Sequence, residues 1–114
     1  MENLNKRLVG TKKGGFTLSC ECIEVIRGIP WLDTVDQEHI PLEVINNCGF
    51  DAELLINISA GEETLYLAKV KVISLSKHKI EIVTDKYYEA LDIGVNLVEG
   101  GRDLCRKFIR LSLR

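Results

Sequence analysis

From residue 16 onward the chain alternates apolar and polar residues with a period of two, and that rhythm limits the fold more than any other feature of it. Phe16, Leu18, Cys20 and Cys22 alternate with Thr17, Ser19 and Glu21; Ile40, Leu42 and Val44 alternate with Pro41 and Glu43. Ala52, Leu54, Ile56 and Ile58 form a third set, Leu65 to Leu75 a fourth around Lys69 and Lys71, Ile80 and Ile82 a fifth, and Ile93, Val95 and Leu97 a sixth. Successive side chains of a strand point to opposite faces, so each set reads as a strand with one face buried. Gly28-Ile29-Pro30, Asn46-Asn47-Cys48-Gly49, Ser59-Ala60-Gly61-Glu62-Glu63 and Gly100-Gly101 punctuate the sets with residues that favour turns. Six or seven closely spaced strands predict a mainly β domain, a small antiparallel barrel or sandwich. One or two short helices are expected beside it, a turn over Val35–Glu38 capped from Asp33-Thr34 and another from Asp85 to Leu91. The fourth and fifth strands are expected to pair as a hairpin through Ser76-Lys77-His78-Lys79. Pro41 suits the start of its strand or a sheet edge. Trp31 is read as a plug at one end of the core, with an exposed binding platform as the alternative.

The chain has 114 residues, enough for one domain. Aromatic residues reach only 6%, so the core is aliphatic. No apolar run approaches the roughly 20 residues of a membrane span. The N-terminal stretch MENLNKRLVGTKKGG lacks the apolar region of a secretory signal, which predicts a cytoplasmic protein without a membrane partner. In that setting Cys20, Cys22, Cys48 and Cys105 are expected as reduced, core-filling thiols. A metal site using Cys48 or Cys105 is the alternative, but the paired knuckles typical of structural zinc are missing. His39 and His78 form no spaced pair, and His78 is expected in a solvated turn. No metal or other cofactor is implied.

Charge is concentrated at the two ends. Residues 1–13 carry +3 and residues 102–114 carry +4, while the net charge of −2 leaves the stretch between them at −9. The expected organisation is a flexible basic arm over residues 1–13, a β-barrel domain over 14–99, and a basic C-terminal arm over 100–114 built as a turn of helix and an extended tail. No P-loop, dinucleotide fingerprint, G-x-S-x-G or H-E-x-x-H occurs, which predicts a non-enzymatic protein. Arg102, Arg106 and Arg110 recur every four residues, and their guanidinium forks suit a phosphate-bearing ligand. The same residues flanking Leu104, Phe108 and Leu111 also read as the wet side of an amphipathic end. The negative total charge and sparse aromatics disfavour specific nucleic-acid binding.

Arg106-Lys107-Phe108-Ile109-Arg110 resembles the R-x-x-x-R opening of PilZ domains, which hold the bacterial second messenger cyclic di-GMP with the two arginines. Asn57-Ile58-Ser59-Ala60-Gly61-Glu62 is similar to that family's [DN]-x-S-x-x-G motif, with Glu62 in place of the final glycine. The arginines here follow the serine motif instead of preceding it, an order that resembles the N-terminal barrel and linker of two-domain flagellar-brake proteins. The resemblance implies a regulatory module binding a cyclic dinucleotide through Arg106, Arg110, Asn57 and Ser59, to which the spacing adds Arg102. The other function expected is protein–protein contact or homodimer assembly, in which the Leu65–Leu75 strand or the C-terminal tail adds to another chain as a strand.

Overall fold

The computed structural model describes residues 18–114 as nine strands, with no helix among them. These are β1 (Leu18–Ser19), β2 (Ile23–Arg27), β3 (Trp31–Leu32), β4 (Glu38–Asn46), β5 (Ala52–Ala60), β6 (Glu63–Val72), β7 (Ser76–Thr84), β8 (Ala90–Glu99) and β9 (Arg102–Ser112). They make two open sheets. One runs β1-β9-β8-β5-β6; in the other β4 is central, with β2 and β3 along one edge and β7 along the other. The larger sheet is antiparallel except at β1, which runs parallel to β9 beside Cys105 and Arg106. Chain order crosses between sheets at β1–β2, β4–β5, β6–β7 and β7–β8, a Greek-key connectivity common in two-sheet sandwiches. Of the two architectures expected, the fold is therefore a sandwich, not a closed barrel.

The alternation decides which residues meet between the sheets. Ile40, Leu42, Val44, Ile80 and Ile82 face Leu54, Ile56, Ile58, Leu91, Ile93, Val95 and Leu97 in one continuous core. Each such side chain contributes about 1.5–3 kcal/mol when fully removed from water. Glu38 is the charged exception on this inner face. It takes a bidentate pair from the Arg114 guanidinium at 2.7 and 2.8 Å, and that guanidinium lies 3.5 Å from the centre of the Tyr87 ring. The arrangement clasps the end of β9 to β4 of the opposite sheet. The paired guanidinium holds the Glu38 carboxyl below its usual range, against the opposing effect of burial.

Several expectations are corrected. Residues 85–89 and 33–37 are turns, not helices. Asp33 does cap, but it caps a turn: its Oδ1 accepts from the amides of Val35 and Gln37 at 2.9 and 3.0 Å. The β6 and β7 strands do not pair; they lie in different sheets, against β5 and β4. His78 sits half-buried within β7 instead of in a turn. Pro41 occupies the middle of a central strand. Its carbonyl accepts from Gly28 at 2.8 Å, so its backbone faces the β2–β3 edge, and the donor it lacks falls where that edge breaks at Gly28-Ile29-Pro30. Gly28 is required by the same approach, since a Cβ there would come within 2.9 Å of Pro41 Cγ. Residues 102–112 form β9 and are part of the larger sheet, not a projecting arm. The proposed arm over residues 1–13 lies outside the described residues.

The cysteines are paired, against the expectation of free thiols or a metal site. Cys20 bonds Cys105 across 85 residues of sequence, and Cys22 bonds Cys48 across 26. The two bonds tie the segment between β1 and β2 both to β9 and to the β4–β5 loop. Asn46 organises that same end. It is fully buried, its Nδ2 donates to the carbonyls of Phe50 and Val72 at 3.0 and 2.8 Å, and its Oδ1 accepts from the Cys48 amide at 2.8 Å.

Candidate functional site

Cross-strand register sets the outer face of the larger sheet. Arg106 lies opposite Asn96 and Arg110 opposite Asp92 on β8, while Asn57 and Ser59 of β5 lie opposite Gly94 and Asp92. Arg106, Arg110, Asn57 and Ser59 therefore share one face, although Arg106 and Arg110 come from the opposite end of the described chain. Phe108 stands between the two arginines, three-quarters exposed. Its ring leans on Gly94, with Cδ1 3.8 Å from where a Cβ would sit. Leu67 and Leu55 add exposed apolar surface to the same face. Arg102 lies apart at the β8–β9 turn, opposite Glu99.

The arginines are not equally available. Arg110 is held by Asp92 at 2.9 Å, Arg114 by Glu38, and Arg106 is only loosely approached by Asp103 at 3.5 Å. The regular four-residue spacing had suggested a helical stripe. On a strand the even interval instead puts Arg106 and Arg110 on one face, while the bulge between Cys105 and Asp103 gives that face to Asp103 and takes Arg102 out of line.

Periodicity did not reveal the most exposed feature of β9, its free edge. β1 covers only Cys105 and Arg106. The Arg106 carbonyl accepts from Cys20 at 3.3 Å, away from β8, whereas the Leu113 amide donates to Glu89 at 2.8 Å, on the β8 side. Alternation then turns the backbone groups of Phe108, Arg110 and Ser112 to the free side, where no strand meets them among the described residues. Ile109 and Leu111 point inward but are only half-buried, because they line this open flank. Across the flank, Arg27 shares the inner face with Leu42, and Leu32 shares it with Glu38, yet both Arg27 and Leu32 are exposed.

A second cluster lies on the outer face of the smaller sheet. Trp31 is half exposed there instead of plugging the core, and its indole stacks on the His39 ring with centroids 3.9 Å apart. His39 Nε2 lies 2.8 Å from Asp33 Oδ2, and Nδ1 lies 3.1 Å from Glu81 Oε2. Two carboxylates can both accept only from a doubly protonated ring. The hydrogen bond to Asp33 first, then Glu81, raises the His39 pKa above its ordinary value, against partial burial. Asp33 is lowered in turn, chiefly by His39. The stabilisation from a raised histidine is complete below the unfolded-state value of about 6.5 and is lost as pH rises through the higher folded value. Trp31 is the sole tryptophan, so its fluorescence reports this directly. The expected titration has a midpoint above about 6.5, moves lower in Glu81→Gln, and vanishes in His39→Gln. A midpoint at or below the ordinary histidine value would contradict the paired geometry.

No protein-family model matches the chain, and no curated protein matches it significantly. Among solved structures it is similar to a β-glucosidase, DesR, from Streptomyces venezuelae in complex with D-glucose, at 6% identity and a TM-score of 0.35. The match covers 78% of this chain and 15% of that enzyme, and a likeness of that size carries no argument about activity. Among the described residues, no three histidine, cysteine or acidic side chains converge as a metal site, and no helix is long and apolar enough to cross a membrane.

Proposed function

We propose that the chain is a non-enzymatic protein-recognition module that takes an extended segment of another polypeptide as an added strand on β9. The observation that carries this reading is the run of outward backbone groups at Phe108, Arg110 and Ser112, flanked by the exposed Phe108 ring and the half-buried Ile109 and Leu111. Strand addition gives affinity through main-chain hydrogen bonds and selectivity through alternate side chains. An uncovered edge of this length otherwise invites aggregation. The Leu65–Leu75 stretch, the other edge expected to add a strand, contributes to β6 (Glu63–Val72), which is the opposite edge of the same sheet; the half-buried Ile109 and Leu111 favour β9.

The two disulfides favour an oxidising compartment over the cytoplasmic setting expected for free thiols. A cyclic dinucleotide on the outer face draws support from the shared face of Asn57, Ser59, Arg106 and Arg110. It is weakened by the Asp92 partner of Arg110 and by the strand geometry, which denies the arginines the freedom to wrap a ligand. Calorimetric titration with cyclic di-GMP separates this second reading from the first.

Amide hydrogen exchange tests the edge itself. In the free protein the amides of Phe108, Arg110 and Ser112 are expected to exchange at least about a hundredfold faster than those of Ile109 and Leu111, whose partners are on β8. Equal protection of both sets in dilute protein would remove the proposed docking edge.

A further inference from the structure

The open flank has a chemical bias, and it identifies the kind of segment that fits. Lys107 faces inward opposite buried Val95, and Arg27 faces inward beside buried Leu42. Neither side chain meets a carboxylate among the described residues; Arg27 donates to the neighbouring Gly28 carbonyl, at 3.1 Å. Between these two cations and the Glu38–Arg114 pair the flank is apolar, with Ile109 and Leu111 on β9, Leu32 on β3 and the highly exposed Ile29 between β2 and β3. On the outer side Arg106 is 63% exposed with its acceptor at 3.5 Å.

Resting on the strand-addition reading, we infer that the partner segment is acidic as well as extended: apolar residues pack beside Ile109 and Leu111, and carboxylates meet Lys107, Arg27 and Arg106. The reasoning is charge complementarity at an edge where hydrogen bonding is indifferent to sequence. Main-chain bonds accept any strand, so side-chain charge decides among strands, and like charges placed opposite each other destabilise a pair. The same reasoning disfavours two other occupants. A second copy paired β9 to β9 would crowd the Arg106, Lys107 and Arg110 cations of both chains along one seam. Residues 1–13 of this chain carry +3 and would meet the same repulsion.

Three synthetic decapeptides test the inference, each with valine at alternate positions and glutamate, lysine or serine between. They are titrated into the intact, oxidised protein at low salt and followed by amide chemical shifts of β9. The glutamate peptide is expected to shift Phe108, Arg110 and Ser112 and to bind at least tenfold more tightly than the serine peptide, with the lysine peptide weakest. The double variant Arg27→Glu/Lys107→Glu should reverse the order of the glutamate and lysine peptides. The milder Arg27→Gln/Lys107→Gln should erase most of the difference and serves if the reversal unfolds the domain. Equal binding of all three, or preference for lysine, overturns the charge inference and leaves strand addition standing. No shift with any peptide overturns strand addition and this inference with it. Deletion of residues 1–13 separates the remaining occupant: if it strips protection from the Phe108, Arg110 and Ser112 amides, the chain covers its own edge and the inference fails. Sedimentation over a concentration series does the same for a β9-paired dimer.

Discussion

Replacing Cys20 and Cys105 together with alanine is expected to lower the thermal midpoint by something on the order of 20 °C. The bond joins positions 85 residues apart. Releasing a loop of that size returns about 4.5 kcal/mol of conformational entropy to the unfolded chain, and a domain of this size loses about 4–8 °C per kcal/mol. The Cys22–Cys48 loop, at 26 residues, is worth about 3.5 kcal/mol by the same relation. The smaller loop lies inside the larger one, so the two losses do not simply add. Full reduction should nevertheless exceed either single loss, because the segment between β1 and β2 then loses both of its covalent ties, to β9 and to the β4–β5 loop. Circular-dichroism melts with and without a phosphine reductant measure the effect, and mass spectrometry after alkylation counts free thiols in the native protein. Superimposable melts, or four alkylatable thiols before reduction, would refute the pairing.

Asn46→Leu is expected to cost about 3 kcal/mol, because it keeps the volume but leaves the buried Val72 carbonyl and Cys48 amide, and the part-buried Phe50 carbonyl, without their partner. Asn46→Asp is the more revealing variant. Its carboxylate can still accept from Cys48, but two carbonyl oxygens now face a negative charge in a site with no solvent access. The folded protein then favours the protonated acid, whose pKa rises above the unfolded value of about 3.9. The resulting penalty is absent below the unfolded value and grows with pH until the raised folded value is passed. Urea titrations at several pH values should show Asn46→Asp approaching wild-type stability in acid and falling furthest behind near neutrality. A deficit independent of pH would mean that the side chain has rotated away and that the network tolerates its loss.

Much of the fold is legible in the alternation of residues 40–44, 52–58 and 93–97, because a two-residue period has only one efficient way to bury its apolar half. The pairing of β6 with β5 instead of β7 is not legible there. Lys69 and Lys71 mark an outward face equally well in either sheet, and the decision comes from which inner faces fill the space between the sheets. The candidate site was legible in part: Arg106, Arg110, Asn57 and Ser59 do share a face, but Arg106 and Arg110 reach it as strand neighbours of Asn96 and Asp92. Arg114 and Glu38, 76 positions apart, carried no local signal of their pairing.

The strand character of most segments, the aliphatic core and most turns were already written in local order, since adjacent residues alone decide which side of a pleat meets water; the count was not, since six or seven strands were expected and the described residues form nine. The disulfide pairs, the role of Asn46, the neutralised Arg110 and the free edge of β9 belong to the tertiary structure. Each depends on distances between segments remote in sequence, and those distances exist only after the two sheets have closed on each other.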